Sequence, residues 1–446
     1  MIRLNFFRDG WMDSGIEDAD ERETFTRLKI TAGNAIVTRA FSKRGGGETE
    51  ALNVPLLPLA DFIAKQWWPL LYEPVRPQPQ KDFAARHRLD LPMHGYAFPA
   101  VGLCSAGDDA VVVDWAIIDD EHSPLKFLTN PSKEPLQISR DQVEPELMDL
   151  VESALARLHT GSRAHAALAE NWARVRETLE SPDQINYCMA AGRLGVDPYD
   201  PRSVDVGQFV GHLPEDLFND ISEASDLSRI AETTIWAEEA RKTLDGCPTI
   251  DVEAFGPPPD DDLHSSAGDL GFRAAKMLRQ LLGLPDNDPK RATAAILGDA
   301  DTSTGVLARR GPDRMTGLSH RTNSVAHIGT IAASARQRHF RACSATYIAW
   351  CSKPGDLRAG TVALTRRQQA SRAFAAELVA PVSYLFERGE KSGFTGDDIE
   401  QVAGTLIAPH DTVMWQAWRA GVSLLDVEPR APRRNSFFDG VSTDVG

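Results

Sequence analysis

Eleven histidines are scattered along the 446-residue sequence, and no two stand four residues apart. An HExxH helix needs that spacing. One helical turn brings two imidazoles onto a single face to hold Zn²⁺, and the glutamate between them serves as general base. The motif is therefore absent in every register. His320, His327 and His339, together with Glu377, fall in one stretch and are the alternative ligand candidates. Histidines so dispersed are more often surface or core residues than ligands. Arg336, Arg338, Arg341, Arg366, Arg367 and Arg372 share that stretch. They either line a cleft that receives an anion or lie solvated on two helices, and spacing alone does not separate the two.

Other signatures of chemistry are missing. There is no GxSxG elbow, P-loop or GxGxxG. The run KRGGGE from Lys43 to Glu48 lacks the lysine and hydroxyl that follow the glycines of a phosphate loop, so it reads as a hairpin loop. The acidic run from Asp119 to His122 reads as a solvated turn. None of the five cysteines forms a CxxC pair, which supports neither a disulfide framework nor a zinc knuckle. Reduced thiols in a cytoplasm are the expectation.

The elements that must position these residues start from composition. An apolar content of 42% and a charged content of 25% are those of a soluble globular chain, and the length suggests two or three domains. No eighteen consecutive residues are apolar, and MIRLNFFRDGWMDSG has no apolar h-region, so neither a membrane span nor a secretory signal is expected. The net charge of −16 argues against a polyanion binder. It is uneven: Gly305 to Ala380 carries twelve Lys or Arg against three Asp or Glu, a local +9 that leaves −25 for the rest. Such a basic stretch faces an anionic partner or the protein's own acidic half.

Along the chain, Thr24–Thr31 and Asn34–Ser42 alternate as strands around a turn at Gly33-Asn34. A helix with Trp67 and Trp68 is expected over Leu59–Leu71, and a buried strand over Ala110–Ile118. From Asp141 the apolar period becomes helical. Ser181-Pro182-Asp183-Gln184 predicts a helix start with a capping box, and helices are expected over Val206–Glu223 and Leu227–Lys242. GPPPDDD, Gly256 to Asp262, reads as the linker and main domain boundary, because prolines remove donors and aspartates repel one another. Asp398–Leu406 and Thr412–Ala420 flank Ala408-Pro409-His410 with helix-turn-helix spacing. Packing is the default reading of that pair, with Trp415 and Trp418 as core. The tail after Asp426, with Phe437 and Phe438, is expected to be mobile.

Three segments after the linker carry a resemblance. QQASRAFAAELVAP, Gln368 to Pro381, resembles the E-x-E-A-N-x-F-A-A-E-L-L-M-P helix of ImmA/IrrE-type zinc peptidases, with Phe374, Ala375, Ala376, Glu377, Leu378 and Pro381 in register. AAKMLRQLLGLP, from Ala274, resembles the helix that opens those domains. SARQRHFRACSATYIAW, Ser334 to Trp350, stands where the family has R-x-R-F-T-x-A-H-E-L-G-H. The resemblance covers about Ser266 to Leu425. It implies that Ser344, Ala345 and Ile348 occupy the HExxH positions, and that Gln368 occupies the third ligand's place. Serine, isoleucine and a neutral amide do not replace imidazole and carboxylate around zinc, and no base remains there to activate water.

The expected fold is α+β: a β-containing N-terminal module over residues 1–140, a helical region over 141–255, a linker at 256–263, a degenerate zincin-like domain of the ImmA/IrrE type over 264–426, and a tail over 427–446. The resemblance implies a bacterial, cytoplasmic protein without catalysis or cofactor. It would act by binding a repressor, toxin or defence effector in stress regulation, toxin–antitoxin systems, mobile-element control or phage defence. A hydrolase with an unusual site is one rival reading. A DNA-binding regulator using the C-terminal helix pair is another, and net charge disfavours nucleic acid.

Overall fold

Paired tryptophans on the first long helix anchor a large hydrophobic core. The computed structural model describes residues 2–76, 82–118, 121–132, 134–298, 305–307, 311–331, 333–390 and 392–429. They fall into two compact units that divide after residue 208. The fold is mixed α+β, with small, mostly antiparallel sheets.

The first unit opens with β1 (Leu4–Trp11), α1 (Ala19–Glu23), β2 (Phe25–Ala32), β3 (Ala35–Ile36), β4 (Ala40–Ser42), β5 (Glu48–Thr49) and β6 (Leu52–Pro55). It continues through α2 (Leu57–Tyr72), α3 (Phe83–His87), β7 (Ala100–Gly107), β8 (Ala110–Ala116), β9 (Leu125–Phe127) and β10 (Leu136–Ser139). Three helices close it: α4 (Arg140–Arg157), α5 (Arg163–Leu179) and α6 (Pro182–Arg193). One sheet runs β1-β2-β3 with β6 also on β2, a second β10-β8-β7, and a third β5-β4-β9. Helix α2 buries Trp67 and Trp68 among them. Its interior Pro69 removes a backbone donor, and the helix kinks at Gln66, φ −104°.

In the second unit α7 (Glu215–Ala224), α8 (Ile230–Leu244), β11 (Thr249–Asp251), α9 (Ala267–Leu281) and α10 (Pro289–Leu297) lead to β12 (Gly305–Leu307), β13 (Met315–Arg321) and β14 (Val325–Ile331). Then come α11 (Ala335–Cys351), β15 (Leu357–Thr361), α12 (Arg366–Val379), α13 (Val382–Gly389), α14 (Gly396–Leu406) and α15 (His410–Arg419). The sheet order is β11-β14-β13-β15, with β12 parallel to β14. Helix α9 lies directly on α12 because Gly271 has no side chain. A Cβ there would stand 2.1 Å from the Ala370 carbonyl oxygen and 2.7 Å from Phe374 N.

Several expectations change. The strand expected over Asn34–Ser42 is split: Ala35–Ile36 stays on β2, and Ala40–Ser42 joins β5 and β9. The Thr38 hydroxyl causes the break. It accepts from Ile30 N at 3.1 Å, where a ladder partner would stand, and donates to Glu50 O at 2.6 Å. The expected helix over Val206–Glu223 reduces to a 3-10 turn at Val206–Gln208 and α7, since Gly211 (φ +89°) and Pro214 interrupt it. The Ser181 side chain makes no capping bond; α6 starts on the fixed φ of Pro182. GPPPDDD holds neither helix nor strand, yet the units do not divide there. It is tied into the second unit: Trp350 Nε1 donates to Gly256 O at 2.8 Å, and Arg366 binds Asp261 Oδ1 at 2.7 Å. Trp418 is 56% exposed and Trp415 half-buried, so the pair is not core. The tail residues Phe437 and Phe438 lie outside the described residues.

Candidate functional site

Helices α11 and α12 present the residues singled out from sequence. The Ser334 hydroxyl caps α11 by accepting from Gln337 N. Along the helix Ala342, Cys343, Ala345, Tyr347 and Trp350 enter the core of the second unit, joined from α12 by Phe374 and Leu378. Desolvation pushes the Cys343 thiol and the Tyr347 hydroxyl well above their ordinary values, so both stay protonated.

All four positions equated with the zinc site are buried, at 7% exposure for Ser344, 4% for Ala345, 0% for Ile348 and 1% for Gln368. Ser344 Oγ donates to Ser371 Oγ at 2.9 Å, and Ser371 Oγ donates on to Gln368 O. Gln368 turns the other way. Its Oε1 accepts from Thr361 N and its Nε2 donates to Ala359 O, each at 2.8 Å. The side-chain amide thus supplies the acceptor and donor of a neighbouring strand to the outer edge of β15. Asp220 on α7 covers the same edge, accepting from Ala359 N at 2.8 Å and pairing with Arg358 at 2.7 Å. Two side chains from two helices therefore close the edge to strand addition at Ala359 and Thr361.

Four of the six arginines reach separate internal partners. Arg336 pairs with Glu400 on α14 at 2.8 Å. Arg341 donates to Ile331 O, and burial lowers its pKa. Arg366, 3% exposed, binds Asp261, Asp262 O and Ser265 O. Arg372 donates to Thr361 O and Ala363 O, and burial brings its pKa down to about 10. Arg338 has a buried Nε with no hydrogen-bond partner, and Arg367 stands half-buried on α12. Anion capture in one cleft would need these guanidiniums to converge, and Arg336, Arg341, Arg366 and Arg372 bind four different segments instead.

The alternative ligand candidates do not gather into one set, although two of them are neighbours. His320 and His327 are cross-strand partners on β13 and β14. His327 Nδ1 lies 3.3 Å from Cys247 O. His339 on α11 is bonded instead to Ile407 O at 3.0 Å. Glu377 accepts from Arg279 Nη2 at 2.9 Å, Gln416 Nε2 at 3.1 Å and Val382 N at 3.2 Å, which occupies both carboxylate oxygens. Among the described residues no group of three or more His, Cys, Asp or Glu is placed to hold a metal ion.

Asp220, Ser371, Arg279 and Gln416 complete these arrangements and were not singled out from sequence. Their partners lie up to 139 residues away, as with Asp220 and Ala359, so no local spacing marks them. Among the described residues no helix is long and apolar enough to cross a membrane. Comparison with family models, curated proteins and solved structures finds no match.

Proposed function

We propose that the chain is a catalytically inactive ImmA/IrrE-like protein that acts by binding another protein. On this reading the second unit is a zincin-like domain. The observation that supports it is the occupation of the four ligand-equivalent positions. Ser344 is bonded to Ser371, Gln368 is bonded to β15, and Ala345 and Ile348 are packed. Zinc needs charged or imidazole donors there, and a water nucleophile needs a base. An alanine stands at the base's position.

The partner class follows from the resemblance: a repressor, toxin or defence effector, in bacterial stress regulation, toxin–antitoxin systems, mobile-element control or phage defence. The net charge of −16 disfavours nucleic acid. The test is to mix the purified chain with the products of neighbouring reading frames and follow light scattering and intact mass. The expected result is a stable complex with both chains at full mass. A partner cut by the chain, with chelator stopping the cut, overturns the reading.

A further inference from the structure

His339 and Ile407 meet where α11 reaches the joint between α14 and α15. His339 is 3% exposed. Its Nδ1 faces the Ile407 carbonyl oxygen at 3.0 Å. A carbonyl only accepts, so Nδ1 carries the proton and Nε2 is the bare nitrogen of a neutral ring. Nε2 is buried and has no hydrogen-bond partner. A second oddity coincides with the first. Ile407, the C-cap of α14, is left-handed at φ 53°, ψ 41°. Among the described residues only Asp108 is another non-glycine with positive φ. A β-branched residue there is strained and persists only where its surroundings hold it. The chain reverses at this point: Ile407 N donates to Gly404 O, Ala408 N donates to Ala403 O, and Pro409 opens α15.

We propose that His339 is an acid-sensitive latch, whose neutral imidazole holds the strained α14–α15 joint and whose protonation at Nε2 releases it. The added N–H would find no acceptor, and a cation would be created inside the core. Charged neighbours do not relieve this. Arg336 on the same helix is paired with Glu400 of α14, and Arg338 offers only like charge. Asp398 is bound to Thr395 at the start of α14, and His410 pairs with Asp411 at the start of α15. Burial lowers the His339 pKa, with the Ile407 carbonyl opposing it only in part. A histidine with a depressed folded pKa stabilises the closed form above its ordinary value of about 6.5. That contribution is lost as pH falls below it. Release would free α15, which carries the edge-to-face pair Trp415 and Trp418.

Hydrogen exchange of the full chain tests the latch, read on peptides covering 399–413 and corrected for the intrinsic effect of pH. Between about pH 7.5 and pH 5.5, exchange there is expected to rise on the order of tenfold. His339→Asn keeps a donor near the position of Nδ1 and does not titrate, so its exchange stays flat. Ile407→Gly removes the strain and shrinks the acid response while leaving His339 in place. A rise in His339→Asn equal to that of the natural chain overturns the proposal, as does no rise in the natural chain. If His339→Asn does not fold, the His339 ring signal decides. A titration midpoint at or above that of an ordinary histidine rejects the latch.

Discussion

Ser344 on α11 donates a 2.9 Å hydrogen bond to Ser371 on α12, and this buried contact joins the two helices. Both hydroxyls are buried and satisfied. Larger or charged groups at these positions would disturb packing before they gained any chemistry.

Restoring the four ligand-type residues together, as Ser344→His, Ala345→Glu, Ile348→His and Gln368→Glu, should lower the melting temperature in chelator. The cost is about 1–3 kcal/mol for each buried polar group left unpaired. Thermal melts with chelator and with zinc measure it. Tight zinc binding with gained peptidase activity would show a site still shaped for catalysis. Unchanged stability in chelator would show that these side chains do not pack as described.

Gln368→Ala should cost about 2–3 kcal/mol, because it leaves Thr361 N and Ala359 O unpaired at the edge of β15. Urea unfolding of the full chain reads the loss. Gln368→Glu should cost at least as much at neutral pH, since a carboxylate would face the Ala359 carbonyl with no proton to donate. Part of that loss should return on acidification, as the carboxyl protonates and becomes a donor.

Glu377→Ala should be among the most damaging single changes, at about 3–5 kcal/mol, because Arg279 is 1% exposed and would keep its charge. Pairing of Arg279 with Asp286 at 2.8 Å softens the loss. Glu377→Gln retains an acceptor and should cost less. Zinc content should be the same in all three proteins, which separates a structural Glu377 from a ligand.

Gly271→Ala tests the close crossing of α9 and α12. With a Cβ 2.1 Å from Ala370 O, the helices must move apart. The expected penalty is about 1–3 kcal/mol, despite alanine's better helix propensity. A stabilised variant in urea would disprove the crossing.

In the first unit Glu73 is 0% exposed and accepts from Arg86 at 2.6 Å and 2.7 Å, with His87 Nε2 at 3.0 Å. Burial alone would raise its pKa, but His87 and Arg86 outweigh it and hold the carboxyl at about 2. A depressed folded pKa gives stability that is present above about 4.5 and lost as pH falls towards 2. About 3 kcal/mol should therefore disappear across that window. Glu73→Gln should be less stable at neutral pH and show a flatter acid slope. An equally steep slope in Glu73→Gln would assign the acid loss to other carboxyls.

Local pattern was enough for the long helices. The helical period that starts at Asp141 emerges as α4 and α5, and QQASRAFAAELVAP is α12 within two residues at either end. Such elements are legible because a 3.6-residue apolar period is a property of neighbouring residues. The spacing of the histidines was equally local, and it alone excluded HExxH.

Tertiary structure decided what those helices hold. Gln368, which the resemblance puts in the third ligand's place, binds β15. Asp220 meets Arg358 from 138 residues away, and Arg279 meets Glu377 from 98. Thr38 splits a strand whose alternation looked continuous, because its hydroxyl replaces a ladder partner. The division after residue 208 also has no local marker, whereas the proline-rich linker that resembles one is tied into the second unit. Apolar period records which face of an element is buried; hydrogen bonds and ion pairs depend on which distant segment arrives there, and chain closure sets that.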